Sequence, residues 1–246
     1  MVFGYVYETG KRKENEDALL FRSSLFTGGE LDFIAVCDGM GGVGNGAEAA
    51  FFCIREMEQW FDRQLIPLTQ LYGNRKRSWE SVLKSKGFRL YRQMNEALFG
   101  QMRSSGKALG STALMGVIYQ GRYYLFHIGD SRGYLLKRTL GRWRCHSLTK
   151  VHGNERGLSR CMGLNREWKP DFVTGRIGKG GLLLCSDGFW RKYDRDIWAE
   201  CLNPMRMKSS EAIRKRLREM MEYNMRKGEQ DNISAIYIAC GDEAQN

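Results

Sequence analysis

Residues 31–51 read LDFIAVCDGMGGVGNGAEAAF, and the architecture of the chain can be inferred from this stretch. The five apolar residues 33–37 predict a buried strand. Asp38 follows directly, and five of the next eight residues are glycine, before an apolar pattern of helical spacing begins. Glycine has no side chain and accepts positive φ, so the backbone here can approach whatever the carboxylate binds. We therefore expect Asp38 to be central to function.

Two other interpretations of this stretch have to be weighed. Gly39, Gly41 and Gly44 match the G-x-G-x-x-G fingerprint of dinucleotide-binding proteins. That fingerprint needs a second strand soon after the helix, whereas here the helical pattern continues to about Asp62. A carboxylate just before the first glycine would also repel a pyrophosphate. The third possibility is a plain glycine-rich turn with a surface aspartate, and this stretch alone leaves all three open.

The composition is that of a globular protein. The chain has 246 residues, 42% of them hydrophobic and only three of them proline, which predicts a single domain spanning residues 1–246. No apolar run approaches the ~20 residues that cross a membrane, and the amino terminus has no signal-peptide pattern, so we expect no membrane association. The seven cysteines are scattered and form no C-x-x-C pair. They predict free thiols and a cytoplasmic location.

The net charge of +11 is concentrated in two segments. Residues 75–107 contain nine Lys or Arg against two Asp or Glu, and residues 203–227 contain eight against three. Both segments have helical periodicity. Neither has the interleaved aromatic residues of a nucleic-acid groove, so we expect no nucleic-acid partner.

Periodicity and turn residues predict the elements along the chain. Strands are expected at 2–7, 18–21, 32–37, 181–185 and 233–239, and helices at 46–62, 78–103, 194–202 and 209–227, the last capped by Ser209. Four short runs between Gly110 and Thr149 predict an antiparallel meander. Residues 151–173 predict an irregular surface loop.

Carboxylates stand at the ends of several predicted strands. Apolar runs lead into Asp38, Asp130 and Asp187, and the last strand begins at Asp231. In a sandwich of two sheets, one edge collects strand ends from both. Aspartates gathered there without matching bases repel one another, so they need cations, and oxygen-only ligands select Mg²⁺ or Mn²⁺. With Glu16 nearby, the pattern predicts a metal site.

Short motifs follow one another over nearly the whole chain. They are Arg12 with Asn15-Glu16-Asp17, residues 38–42, residues 110–113, residues 127–132, Leu148-Thr149, residues 159–163, Ser186-Asp187-Gly188 and Asp231-Asn232. In this order they resemble the metal-dependent protein serine/threonine phosphatases of type 2C, in their compact bacterial form. The resemblance implies an α+β fold, a four-layer α-β-β-α sandwich of two antiparallel sheets flanked by helices. It removes the dinucleotide interpretation.

The resemblance also implies a role for each site residue. Two Mn²⁺ or Mg²⁺ ions are expected to be tightly bound, and a third more weakly. Asp38 is the implied bridge between the two tightly bound ions. The Gly39 carbonyl would bind one of these ions, and Asp187 and Asp231 would bind the other. Asp130 and Asp187 would bind the third, weaker ion. Glu16 would hold metal-bound water. Arg12 would grip the phosphate through two parallel hydrogen bonds, which a guanidinium does better than an ammonium.

The implied activity is hydrolysis of phosphoserine or phosphothreonine on proteins by a metal-activated water, without a phospho-enzyme. The expected partners are phosphorylated proteins, made by an opposing serine/threonine kinase, and the chain is expected to be a monomer. The alternative is a catalytically silent relative that binds phosphoproteins or serves as a scaffold. Loss of a metal aspartate would favour that alternative, and none is lost.

The chain departs from the family pattern at three points. Met40 stands where animal members carry a histidine that serves as general acid. Val151-His152-Gly153 replaces the usual Asp-His-Ser after Leu148-Thr149. The segment from there to Arg160 is short, which predicts a trimmed flap over about 150–170. Substrate choice therefore cannot be carried over from the family.

Overall fold

The structure is a computed structural model that describes residues 1–26, 28–40, 45–106, 109–154, 157–166, 169–192 and 195–240. Gly41, Gly42 and Gly44 of the opening stretch lie outside the described residues. So do parts of the predicted flap (155–156 and 167–168) and the predicted start of a helix at Asp194.

Twelve strands are formed within the described residues, most of them from apolar runs. They are β1 (Val2–Glu8), β2 (Asp17–Phe26), β3 (Gly29–Asp38), β4 (Ala113–Tyr119), β5 (Arg122–Ile128), β6 (Arg132–Thr139), β7 (Arg142–Ser147), β8 (Gly153–Asn154), β9 (Gly157–Leu158), β10 (Asp171–Arg176), β11 (Gly181–Cys185) and β12 (Ile233–Ala239). The last strand has the predicted bounds.

The helices carry one apolar stripe each or are short connecting turns. They are α1 (Gly46–Trp60), α2 (Ile66–Tyr72), α3 (Lys76–Ser105), α4 (Asp187–Trp190), α5 (Arg195–Cys201) and α6 (Ser210–Arg226), with a π-helical segment over Phe61–Leu65 between α1 and α2. The predicted cap of α6 is confirmed, because the Ser209 hydroxyl accepts a hydrogen bond from the Ala212 N–H at 3.1 Å.

Ten of the strands form two antiparallel sheets. The first has the order β1-β12-β11-β6-β7, and the second has the order β10-β5-β4-β3-β2. Strands β8 and β9 form a separate two-stranded hairpin.

Three apolar clusters divide the molecule into four layers. Residues such as Ile34, Val36, Leu184 and Ile236 fill the space between the two sheets. The outer face of the second sheet packs against α1 and α3, and the outer face of the first packs against α5 and α6. The expected α-β-β-α sandwich is therefore confirmed, with the two basic helical segments in opposite outer layers.

The predicted meander is wrong in one respect. Strands β4 and β5 pair in the second sheet, whereas β6 and β7 pair in the first. The chain changes sheets between Ile128 and Arg132, where Gly129 adopts a φ of +105° that side-chain-bearing residues rarely adopt. The irregular loop also ends earlier than predicted, since Asp171–Arg176 pairs with β5 as an edge strand.

Two further expectations concern cysteines and membranes. The seven cysteines all lie within the described residues and form no disulfide bonds there. Within the part of the chain that the structure describes, we find no helix with both the length and the apolar composition to cross a bilayer.

Candidate metal centre

Strand ends from both sheets meet at one edge of the sandwich. Strand β3 ends in Asp38, β11 leads through Ser186 into Asp187, and Asp130 lies in the link between β5 and β6. One carboxylate oxygen of each of these three aspartates lies within 4.8 Å of the others. We call Asp38, Asp130 and Asp187 the carboxylate cluster. The structure thus brings together three of the predicted site residues.

The backbone of Asp38 is clamped by the residues that precede β4. Its N–H donates to the Thr112 hydroxyl at 2.8 Å, and its carbonyl accepts from the Thr112 N–H at 2.8 Å and the Ser111 hydroxyl at 3.1 Å. The Thr112 hydroxyl also hydrogen-bonds that of Ser131 at 2.7 Å. These bonds join the end of β3 to the loop that carries Asp130. They therefore fix the backbones of Asp38 and Asp130 relative to each other.

The Asp130 loop is held from two more sides. The Gly129 N–H donates to Nδ1 of His152 at 3.1 Å, and the indole N–H of Trp190 donates to the Asp130 carbonyl at 3.1 Å. Because these contacts are to the backbone, the Asp130 carboxylate is left available to a ligand.

Gly39 and Glu16 lie at the same edge. The Gly39 N–H donates to the Glu16 carbonyl at 3.1 Å, and a Cβ on Gly39 would overlap the carbonyl oxygen of Gly46. Only glycine fits this close approach of two backbones. The Glu16 N–H donates to the Asn232 side-chain oxygen at 2.9 Å, so the loop before β2 is tied to the start of β12.

The electrostatics of the cluster favour a bound cation. Burial, followed by the charges of Asp17, Asp130 and Asp231, raises the pKa of Asp38 well above its usual range. Burial also raises the pKa of Asp130. Carboxylates in this setting resist being charged together unless a cation neutralises them. The donors are all oxygens, so the residues present fit a hard divalent ion.

Asp17 is a buried member of this edge that the sequence interpretation did not assign to the site. It pairs with Asp38 across β2 and β3, is fully buried, and accepts a hydrogen bond from the Ser186 hydroxyl at 2.9 Å. Burial raises the pKa of Asp17 to about 6. Its position in the Asn15-Glu16-Asp17 motif, opposite the strand that ends in Asp38, was the available signal.

Asp231 and Arg12 reach the same edge but contact each other. Nε of Arg12 lies 3.0 Å from Oδ1 of Asp231, and Nη2 of Arg12 lies 3.0 Å from Oδ2 of the same carboxylate. This pairing raises the pKa of Arg12 further above its ordinary value. The sequence interpretation placed Asp231 on an ion and Arg12 on the phosphate, and did not foresee the pair.

Arg191 and Glu229 were also missed. Arg191 forms a salt bridge with Asp187, and its guanidinium lies 3.6 Å from Glu229 and 3.8 Å from Asp231. A signal existed, because Arg191 follows Asp187 by four residues at the start of a helix and therefore lies on the same side of it.

A second group of polar residues, next to the carboxylate cluster, contacts the loop that carries Asp130. One ligand-type atom of each of His127, His152 and Asp171 lies within 4.8 Å of the others. Nδ1 of His152 accepts from Gly129, so Nε2 carries the proton and donates to Asp171 at 2.9 Å; Arg160 also pairs with Asp171 at 3.4 Å. Both His152 nitrogens are thus engaged, and this group positions the Gly129 backbone. Sequence spacing could not reveal it, because the three residues are far apart in the chain.

Burial keeps the two histidines neutral. It lowers the pKa of His127 to about 3 and lowers that of His152 below its ordinary value. A neutral His152 is required for Nδ1 to accept the Gly129 hydrogen bond.

Comparison with known proteins places this geometry in a family. The family model of protein phosphatase 2C matches residues 9–235. A putative protein phosphatase of Mycoplasma genitalium is 25% identical, over 92% of this chain and 90% of its own. A bacterial serine phosphatase has a similar crystal structure, with a TM-score of 0.80, 19% identity and coverage of 99% and 100%. The catalytic domain of PstP, solved with two manganese ions, gives a TM-score of 0.72, 23% identity and coverage of 98% of both chains.

The family match spans most of the chain, and the fold similarity extends to the helical layers on both sides. The predicted relationship is confirmed: the chain belongs to the protein phosphatase 2C family, a family of metal-dependent protein phosphatases.

Proposed function

We propose that this chain hydrolyses phosphoserine and phosphothreonine in proteins, with Mn²⁺ or Mg²⁺ bound at the carboxylate cluster. The observation that best supports this is the convergence of three aspartate oxygens within 4.8 Å of one another, in a member of a phosphatase family. The structurally similar PstP domain contains two manganese ions. Divalent ions at such a site supply Lewis acidity and lower the pKa of water.

The proposed ligands are those expected from the sequence. Asp38 would be shared between two ions, with the Gly39 carbonyl on one side and Asp187 and Asp231 on the other. Asp130 lies beside Asp187 in the carboxylate cluster, where the resemblance implies a third and weaker ion. Glu16, tied to Asn232 through its backbone, would orient solvent at this edge.

Arg12 is proposed to bind the substrate phosphate. Its side chain is 52% exposed, and its Nε and Nη2 pair with the two carboxylate oxygens of Asp231 at this edge, which supports the proposal. A phosphate offers two oxygens in a similar geometry. A cation held by Asp231 would neutralise that carboxylate, and Arg12 would then be available to bind the phosphate.

We further propose a setting for this activity. Cysteines without disulfide bonds among the described residues suit a reducing compartment, so the chain would act in the cytoplasm, as a monomer, on proteins phosphorylated by a serine/threonine kinase. The basic outer helices do not bear on this proposal.

The test is turnover of a phosphothreonine peptide by protein stripped with a chelator, measured with and without added Mn²⁺. We expect activity only with the metal. Asp38→Asn should lower kcat by about tenfold or more, because it removes the shared ligand of the ions. It should not destabilise the metal-free fold, since it removes a charge that neighbouring carboxylates repel.

Asp32→Asn is the matched control, because Asp32 lies on the same strand but away from the cluster, and it should retain activity. Turnover without metal, or more than about a tenth of the activity left in Asp38→Asn, would contradict the proposal. Binding of the phosphopeptide without any turnover would instead favour a silent phosphoprotein-binding relative.

A further inference from the structure

Arg191 places a positive charge inside the acidic edge. It follows the single helical turn α4, whose first residue is Asp187, and its guanidinium forms a salt bridge with that aspartate. Among the described residues, the salt bridge of Asp187 is the one with Arg191. Asp231 is already paired with Arg12, so the two arginines share the neutralisation of this edge.

The buried carboxylate of Glu229 anchors the Arg191 side chain. The Glu229 side chain is only 4% exposed, and one carboxylate oxygen accepts the N–H groups of Gln230 at 2.9 Å and Asp231 at 3.1 Å. The other oxygen has no hydrogen-bond partner in the described part of the chain. A buried carboxylate requires a counter-charge, and Arg191 lies 3.6 Å away. Arg191 is therefore held by a residue that is not a proposed ligand, and it would remain nearby after ions bind.

The position of Arg191 bears on the third ion. That ion was assigned to Asp130 and Asp187, and the Arg191 guanidinium already uses one oxygen of Asp187. Asp187 then has one oxygen left for an ion. A further divalent ion within hydrogen-bonding range of this guanidinium, whose side chain is 42% exposed, would be repelled by it.

We propose that Arg191, anchored by Glu229, is a tethered cation that takes the place of the third divalent ion, so that this centre binds two ions. The inference rests on the proposed function. It assigns to Arg191 the charge that a weakly bound ion would otherwise supply beside Asp130 and Asp187. The centre would then be completed at lower metal concentrations than one that needs a third ion.

The test is the number of Mn²⁺ ions bound per chain, measured by equilibrium dialysis and by calorimetry on chelator-stripped full-length protein. Wild type is expected to bind two. Arg191→Gln, which removes the charge but keeps a polar hydrogen-bond donor, is expected to bind a third ion with lower affinity. Arg191→Lys keeps the charge and should stay at two. Lys192→Ala controls for a change in net charge, because Lys192 is the exposed neighbouring residue, and it should also stay at two.

The outcomes separate this inference from the function on which it rests. Three ions in wild type, or two in Arg191→Gln, would overturn the role of Arg191 and leave the phosphatase proposal standing. No bound Mn²⁺ in wild type would overturn both.

A double-mutant cycle of Arg191→Gln and Glu229→Gln, followed by urea unfolding of metal-free protein, tests the anchor. Non-additive effects support it, and additive effects overturn it.

Discussion

Aspartates occupy both halves of β3, and their surroundings give them different properties. Asp38 ends the strand among other carboxylates, where a cation can neutralise it. Asp32 lies near the other end, is 2% exposed, and has one oxygen without a hydrogen-bond partner in the described structure. Burial raises the pKa of Asp32 to about 6. The ionised form of Asp32 therefore costs stability.

The first prediction is that Asp32→Asn stabilises the fold at pH 8 and not at pH 4. The folded-state pKa of about 6 lies above the ordinary value of 3.8, so the folded state binds the Asp32 proton more tightly than the unfolded state. The ionisation penalty is thus fully present above about pH 6 and disappears below pH 3.8. Two units of pKa correspond to roughly 2–3 kcal/mol, which is the upper limit of the gain at pH 8.

Urea unfolding of wild type and Asp32→Asn at both pH values measures this difference. Comparing the two proteins at each pH cancels the contributions of the buried histidines and of the other carboxylates. An equal gain at pH 8 and pH 4 would show that packing, and not ionisation, is responsible.

Helix α3 illustrates how tertiary packing overrides a residue's helix propensity. Gly87 weakens the helical pattern in the sequence, yet the helix continues unbroken through it. A Cβ at this position would overlap the Phe126 ring. That ring is fully buried, and Phe88, Tyr91 and Phe172 surround it with centroids at 4.9–6.0 Å. Gly87 is therefore what allows α3 to lie directly on β5.

The second prediction compares two glycines of α3. Gly87→Ala should destabilise the fold by about 1–2 kcal/mol, because overpacking against a ring that cannot move exceeds the gain in helix propensity. Gly100→Ala should stabilise it by about 0.5–1 kcal/mol, because a Cβ there meets nothing within 4 Å. Urea unfolding of both variants gives the two values. A higher free energy of unfolding in both variants would mean that the Phe126 ring moves to admit the new methyl group, and that the packing of α3 on β5 is loose.

Across the whole molecule, the features that could be predicted from sequence are those that depend on neighbouring residues. An apolar run followed by Asp-Gly identified Asp38 and Asp187, because burial and the exit from a strand are local properties. The helical stripes predicted α1, α3 and α6 for the same reason. The crossing between sheets at Gly129 was missed, because a turn residue does not reveal which sheet receives the next strand.

The missed parts of the site depend on pairings between distant residues. Arg12 lies more than two hundred positions from Asp231, and His152 meets Gly129 only after the chain has crossed between sheets. Long-range ion pairs have no periodic signature. For Arg191 the spacing to Asp187 was visible, but nothing local indicated the buried Glu229 that anchors it.

The four-layer arrangement also separates the basic helices from the metal centre. Helix α3 packs on the second sheet through residues such as Trp79, Leu83 and Leu90, and this leaves Arg89 and Arg92 exposed on its outer side. Helix α6 packs on the first sheet and exposes Arg214 and Lys215 on the opposite side of the molecule. The carboxylate cluster lies at an edge between these two faces.

The third prediction follows from this separation. Reversing Arg89 and Arg92 to Glu should leave kcat and KM on a short phosphopeptide within about twofold, because exposed charges beyond a Debye length of about 8–10 Å are largely screened at physiological salt. The same reversal of Arg214 and Lys215 is the matched control on the other face. If α3 docks acidic protein substrates, only its variant should lose activity on a large acidic phosphoprotein, and the loss should fade as salt rises. A salt-insensitive loss on the short peptide would place α3 at the catalytic edge and contradict its position in the outer helical layer.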